Sequence, residues 1–112
     1  MTGTKAPTIE AQTAIATLIN VYEVEPGKQA DLVKFLSRGT DKMFRHLRDF
    51  VSVSIHSSMD GRRVVNYAQW RSMEDIQRVM KNPDAQALAK RAASIAKSVS
   101  PAVYQVTAVH VG

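Results

Sequence analysis

The clearest pattern along the chain is a strict alternation of apolar and polar side chains in residues 51–56, which read VSVSIH. A period of two is typical of a β-strand that turns one face towards a core. Asp60-Gly61 follows a few residues later, and this pair is a common hairpin signal because glycine readily adopts a positive φ. The pattern therefore predicts two antiparallel strands over residues 50–59 and 62–70.

The N-terminal half predicts a strand followed by a helix. Residues 14–24, AIATLINVYEV, are rich in β-branched and aromatic residues and precede Glu25-Pro26-Gly27, so we expect a strand buried on both faces. Residues 28–47 place apolar side chains at spacings of three, four and seven, which is typical of an amphipathic helix. Gly39-Thr40 predicts a kink or a break in this helix, because glycine costs about 1 kcal/mol in a helix interior.

The C-terminal half predicts a divided helical region and a last strand. Ser72 and Asp75 resemble a capping box that begins a helix. Asn82-Pro83 restarts the helix, because proline is well tolerated in the first turn, and we expect the second segment to run to about residue 97. Ser100-Pro101 ends it, and residues 103–111 read as a strand. The apolar side chains expected to face the core here are Met73, Ile76, Val79, Met80, Ala87, Leu88, Ala92 and Ile95.

The predicted order β-α-β-β-α-β is that of a ferredoxin-like α+β domain, in which a four-stranded antiparallel sheet carries its helices on one face. We expect residues 14–112 to form this single domain and residues 1–13, rich in Thr, Ala and Pro, to form a flexible N-terminal arm. The strands are apolar enough that the second face of the sheet should also be covered. We therefore expect a homodimer that packs sheet against sheet.

Composition agrees with one small domain. The chain has 112 residues, 45% of them hydrophobic and 22% charged, within the usual range for a globular protein. The formal net charge is +5, but the basic residues are scattered at helical spacing, so a nucleic-acid-binding module is the weakest interpretation. The absence of cysteine, of a long apolar run and of a leader-like N-terminus predicts a cytoplasmic protein without disulfides or a membrane helix.

Few residues could support metal or nucleotide chemistry. His46, His56 and His110 fall in different predicted elements and lack the spacing of metal ligands. No glycine-rich phosphate loop or nucleophile motif is present either. We therefore predict no metal and no cofactor site.

The candidate site is a polar and aromatic face on the third strand. Asn66, Ala68 and Trp70 lie on one face by their period of two, and together they offer an amide, open space and an indole N–H beside an aromatic wall. This arrangement suits a flat aromatic ligand that carries oxygen atoms. Simple packing of the asparagine and tryptophan is the alternative. His56 lies opposite either Asn66 or Val65, depending on the register of the hairpin, and a slip of one residue would move it to the opposite face. It could act as a general base, although a lone histidine on a strand is more often a core or interface residue.

These residues resemble a known family. Residues 50–70, FVSVSIHSSMDGRRVVNYAQW, are similar to the central hairpin of the antibiotic biosynthesis monooxygenases, especially the small anthrone and quinol oxygenases of aromatic polyketide pathways. The resemblance implies a dimeric α+β barrel, a cavity between sheet and helices, and oxygenation with neither metal nor flavin. It also implies catalytic roles for Asn66 and Trp70, with His56 as a further candidate.

The chain departs from those oxygenases at two positions. Ile76 stands where they carry a tyrosine, and Ala89 stands where they carry an arginine. The resemblance therefore leaves two expectations. The first is a cofactor-independent monooxygenase that oxidises an anthrone or quinol with dioxygen. The alternative is a non-oxygenating, cyclase-like or metabolite-binding dimer of the same fold, since one fold hosts many functions.

Overall fold

A computed structural model describes residues 6–112 of the chain, and it confirms the ferredoxin-like α+β order. The predicted N-terminal arm is described only from residue 6, and no helix or strand precedes Ala16 in that part. The elements are β1 (Ala16–Glu23), α1 (Gln29–Lys42), a 3-10 turn (Phe44–His46), β2 (Phe50–Ser57), β3 (Arg63–Trp70), α2 (Met73–Met80), α3 (Pro83–Ile95) and β4 (Ser98–Tyr104).

The four strands form one antiparallel sheet in the order β2-β3-β1-β4. Strand β3 lies between β2 and β1, and Asn66 in β3 is directly opposite Asn20 in β1. Because side chains alternate across a strand, Asn66, Ala68 and Trp70 share one face of the sheet. Ala68 and Trp70 belong to the same buried cluster as Ile76 of α2, so this is the face that the helices cover.

The hairpin between β2 and β3 is confirmed, with a longer loop than a two-residue turn. The Ser58 N–H donates to the Arg63 carbonyl at 3.0 Å, and the Gly61 N–H donates to the Ser58 carbonyl at 3.1 Å. Gly61 has φ of 77°, which a residue with a side chain rarely adopts. The Asp60 carboxylate accepts from the Ser58 hydroxyl at 2.7 Å and from the Arg62 N–H at 3.0 Å. These bonds fix the loop and hence the register of the two strands.

The expected break of the first helix into two short helices at Gly39-Thr40 is wrong. Helix α1 continues through both residues to Lys42, and the chain then changes to the 3-10 turn. A β-carbon on Gly39 would lie 3.5 Å from both methyl carbons of Leu88. This is an ordinary van der Waals distance, so α1 and α3 are in packing contact at Gly39, and this packing outweighs the low helix propensity of the glycine.

The starts of the second and third helices are confirmed. The Ser72 hydroxyl accepts from the Asp75 N–H at 3.3 Å and donates to the Asp75 carboxylate at 2.7 Å. The Asn82 side chain accepts from the backbone N–H groups of residues 84 and 85, and Pro83 follows it at the first helical position. Both helices thus begin with a side chain that satisfies otherwise unpaired backbone donors.

Three of the expected core positions on these helices are exposed. Met73 and Ala87 face solvent, and Met80 is 54% exposed. The other members of the predicted stripe are buried or half-buried, with Ile76 and Ala92 almost completely so. The apolar face of α2 and α3 is therefore narrower than the sequence suggests.

The predicted last strand is displaced. Strand β4 covers Ser98–Tyr104 instead of residues 103–111, because α3 already ends at Ile95. Pro101 lies inside this strand, opposite Asn20. Proline lacks an N–H and is confined to edge strands or strand ends, and β4 is an edge of the sheet. The proline therefore marks an edge strand and not the end of the helix.

Candidate functional site

A cavity of about 230 Å³ lies between the sheet and the helices. Strands β1, β2 and β3 form its floor, and α1, α2, α3 and the 3-10 turn form its walls. The lining residues are Leu18, Asn20, Tyr22, Phe35, Leu36, Gly39, Thr40, Phe44, Val53, Asn66, Ala68, Trp70, Val79, Met80, Ala85, Gln86, Leu88, Ala89 and Ala92.

The face predicted on β3 is part of this cavity. Asn66, Ala68 and Trp70 all line it, and Asn66 and Trp70 are about 13 Å apart along the backbone at the usual rise of a strand. Ala68, between them, adds little bulk to the floor. A flat ligand could therefore lie over Ala68 with a polar group near each end.

Both polar side chains on this face have an unsatisfied buried atom. The carboxamide oxygen of Asn66 and the indole nitrogen of Trp70 find no hydrogen-bond partner within residues 6–112. A buried polar group without a partner costs about 1–3 kcal/mol, and such groups are rare in folded proteins. One is an acceptor and the other a donor, so the pair is complementary to a ligand that carries both a hydroxyl and a carbonyl oxygen.

Two aromatic rings hold the indole of Trp70 in place. Phe50 packs edge-on against it with ring centres 5.7 Å apart, and Phe44 does so from the 3-10 turn at 6.2 Å. Edge-to-face packing of this kind is favourable beyond the area that it buries. The orientation of the indole N–H is therefore fixed by packing and does not depend on a hydrogen bond.

A second asparagine on the cavity floor was missed by the sequence analysis. Asn20 lies in β1 directly opposite Asn66, and it also lines the cavity. An asparagine in the middle of an apolar strand could have drawn attention to it. Its position beside Asn66 depends on the pairing of β1 with β3, which no local pattern specifies.

The structure does not bring His56 to the cavity. His56 is opposite Val65 in the hairpin, and it is therefore on the outer face of the sheet, away from Asn66. It is also exposed. The five-residue loop sets this register, so His56 cannot act as a base on a ligand in the cavity of the same chain.

The lining of the cavity carries no formal charge at neutral pH. Of the described residues that line it, none is Asp, Glu, Lys, Arg or His. Tyr22 is the one titratable side chain among these lining residues. Burial raises the pKa of Tyr22 above its ordinary value, so its hydroxyl stays protonated. Among residues 6–112 no cluster of three acidic or histidine side chains could hold a metal ion.

The two residues at which the chain departs from the anthrone oxygenases, Ile76 and Ala89, lie in different environments. Ile76 is fully buried in the cluster that contains Trp70 and does not line the cavity. Ala89 lines the cavity and is exposed at the same time. An apolar cavity with a few unsatisfied polar atoms favours a mostly apolar ligand that carries a few oxygen atoms, because hydrogen bonds in such surroundings are stronger than in water.

Comparisons with known proteins agree with this geometry. The profile of the antibiotic biosynthesis monooxygenase family matches residues 15–91, which is more than half of the chain. The chain therefore belongs to the antibiotic biosynthesis monooxygenase family. It is 43% identical over 79 residues, 70% of either chain, to tetracenomycin-F1 monooxygenase of Streptomyces glaucescens.

Solved structures of the same fold include two oxygenases. The monooxygenase ActVA-Orf6 of Streptomyces coelicolor, in complex with nanaomycin D, aligns with a TM-score of 0.76 at 22% identity, over 89% of this chain and 93% of its own. SnoaB of Streptomyces nogalater, a cofactor-independent oxygenase, aligns with a TM-score of 0.74 at 18% identity, over 87% and 97%. These likenesses confirm the fold, and the family confirms the expectation of a monooxygenase.

Proposed function

We propose that this chain is a cofactor-independent monooxygenase that oxidises an aromatic polyketide-like anthrone or quinol with dioxygen. The observation that supports it most is the pair of orphaned atoms, the Asn66 oxygen and the Trp70 N–H, on the floor of one uncharged cavity. We propose Asn66 and Trp70 as the residues that hold the substrate. Asn20, beside Asn66, is a further candidate.

The substrate itself can supply the electrons for this reaction. An anthrone or quinol loses a proton, and its anion then reduces dioxygen by one electron. The resulting radical pair combines to a peroxide, which takes up a proton and loses water to leave the quinone, so that one anthrone and one dioxygen give one quinone and one water. The enzyme needs to stabilise the anion, and a fixed donor such as the Trp70 N–H does so in a site that excludes water.

The first proton has no acceptor among the described lining residues at neutral pH. Tyr22 remains protonated because burial raises its pKa, and the asparagines are not basic. We propose that the proton passes to solvent at the open side of the cavity. A hydrogen bond from Trp70 favours the anion and so lowers the pKa of the bound substrate.

We further propose that the enzyme is a cytoplasmic homodimer. Ile19, Val21, Val65 and Tyr67 lie on the outer face of the sheet and are only half-buried within one chain. Packing this face against a second copy would remove their apolar surface from water. No helix of residues 6–112 has the length and apolar character that a membrane span requires. The cytoplasmic location stays a prediction.

The test is oxygen uptake by the purified protein with 1,8-dihydroxyanthrone and a panel of quinols. We expect one equivalent of dioxygen to be consumed per quinone formed. Trp70→Phe keeps an aromatic ring but removes the N–H, and loss of one such donor reduces kcat by about 10²–10³-fold in other enzymes. Asn66→Ala should also lower kcat.

His56→Ala is the matched control, because His56 lies on the outer face of the neighbouring strand. It should leave kcat within about twofold of the original, since the His56 side chain points away from the cavity on the other side of the sheet. Unchanged activity in both Trp70→Phe and Asn66→Ala would remove the proposed site. Product formed without oxygen uptake would favour the cyclase-like alternative.

A further inference from the structure

The cavity opens to solvent at the junction of α2 and α3. Most of its lining residues are buried or half-buried, but Met80, Gln86 and Ala89 are exposed. These three residues lie within ten positions of one another, at the end of α2 and in the first two turns of α3. Leu36 and Thr40 of α1 line the cavity as well, on the neighbouring helix.

A hydrogen bond fixes the shape of this opening. The Gln86 side-chain amide donates to the Met80 backbone carbonyl at 2.9 Å, which satisfies one of the carbonyls left unpaired at the end of α2. The Asn82 side chain caps α3 from within the same turn. The positions of Met80 and Gln86 at the edge of the opening are thus coupled.

The enclosed volume is small for a polycyclic ligand. Pockets that enclose a drug-sized molecule measure roughly 300–1,000 Å³, whereas this cavity measures about 230 Å³. A ligand of several fused rings that reaches Asn66 and Trp70 on the floor must therefore extend past the inner cavity. The available direction is the opening beside Ala89, whose side chain is only a methyl group.

We propose that Met80, Gln86 and Ala89 form the substrate entrance and determine the size of the ring system that this enzyme accepts. The reacting ring lies on the floor, and the remaining rings project through the opening, where they contact these three residues. This inference rests on the proposed function for the identity of the substrate. The entrance itself can be tested by binding alone.

Ala89→Leu tests the entrance directly. Leucine is nearly as good a helix former as alanine, and the added carbons would narrow the opening without touching the floor. Ala87→Leu is the matched control, because Ala87 is exposed on the same helix and does not line the cavity. Trp70 is the single tryptophan of the chain and lies on the cavity floor, so quenching of its fluorescence reports ligand binding under anaerobic conditions.

The probes are 1,8-dihydroxyanthrone, with three rings, and a hydroxylated naphthacenone, with four. We expect Ala89→Leu to raise the Kd of the four-ring probe about tenfold or more and that of the three-ring probe less than about twofold, as for a steric change at one edge of a pocket. Ala87→Leu should change neither Kd. In aerobic turnover, the same selectivity should be found in KM.

Equal effects of Ala89→Leu on both probes, or no effect on either, would overturn the inference. The two proposals fail separately. Size-selective binding without oxygen uptake would contradict the proposed oxygenase but support the entrance. If oxygen is taken up and Ala89→Leu does not change the KM of either probe, the result would support the oxygenase and contradict the entrance.

Discussion

At the scale of single residues, the polar atoms of the cavity that lack a hydrogen-bond partner lower the stability of the folded protein. The Asn66 oxygen has no partner within residues 6–112, while Gln69, three positions away on the same strand, accepts from the Ser52 hydroxyl at 2.8 Å. Gln69 lies on the outer face and is also buried. One strand thus carries an unsatisfied amide and a satisfied amide on opposite faces.

This contrast predicts opposite effects of the same substitution. Asn66→Leu removes an unsatisfied buried oxygen and should raise the free energy of unfolding by about 1 kcal/mol. Gln69→Leu leaves the Ser52 hydroxyl without its acceptor and should lower the free energy of unfolding by about 1–3 kcal/mol. Urea unfolding measures both values. A clear loss of stability in Asn66→Leu would mean that its carboxamide is satisfied inside the protein.

The sequence located Asn66 and Trp70 because a period of two is a local property. It could not locate Asn20, whose place beside Asn66 comes from the pairing of strands that are distant along the chain. The sequence also left undecided on which face of the sheet His56 lies, for a related reason. The face of His56 depends on the number of residues in the hairpin loop, and the five-residue loop with one positive φ became evident only in the structure.

At the scale of elements, the helix caps at Ser72 and Asn82 were predicted correctly, whereas two of the predicted interruptions were wrong. Ser72 and Asn82 begin helices as expected, because a cap needs only its own side chain and the next turn. Gly39 and Pro101 were read as breaks. Leu88 packs on the glycine in one case, and the free edge of the sheet accommodates the proline in the other. Both outcomes depend on tertiary contacts that a local pattern does not contain.

The cap of α2 predicts a pH dependence. The Ser72 hydroxyl, which donates to the Asp75 carboxylate, lowers the pKa of Asp75, and Arg78 lowers it further. A lowered pKa in the folded state stabilises the protein above the unfolded pKa, and this contribution is lost as the pH falls through the folded value. Ser72→Ala should therefore move the pKa of Asp75 up towards its ordinary value.

Ser72→Ala should also lower the free energy of unfolding at neutral pH by about 1 kcal/mol, the usual cost of losing a serine cap. The difference from the original protein should shrink on acidification. NMR titration of Asp75 and urea unfolding at pH 7 and pH 3 measure these changes. Ser94→Ala is the control, since the Ser94 hydroxyl bonds only the Arg91 carbonyl in the last turns of α3. An unshifted Asp75 would contradict the assigned cause.

At the scale of the whole molecule, the sheet has one covered face and one half-exposed face. The helices and the cavity occupy the first. On the second, Val65 lies between Val21 of β1 and His56 of β2, near the centre of an apolar area. Strand β4 adds Ala102 and Tyr104 to this surface, since they lie opposite Ile19 and Thr17 of β1 and Tyr104 is 51% exposed.

If this face forms the proposed dimer, Val65→Glu should dissociate it. A carboxylate buried at the interface without a partner is costly, and we expect the dimer dissociation constant to rise at least about a hundredfold. Light scattering on a sizing column should then give the 12.4 kDa of one chain for the variant and twice that for the original. Ala87→Glu, on the exposed side of α3, should remain dimeric.

An original protein that elutes at the mass of one chain would contradict the dimer but not the site. The Val65→Glu variant tests the dimer and the site separately. Asn66, Trp70 and the entrance residues all belong to one chain and lie on the other side of the sheet from Val65. We expect its Trp70 fluorescence still to be quenched by 1,8-dihydroxyanthrone. Loss of that quenching in a folded monomer would mean that the second subunit helps to form the cavity.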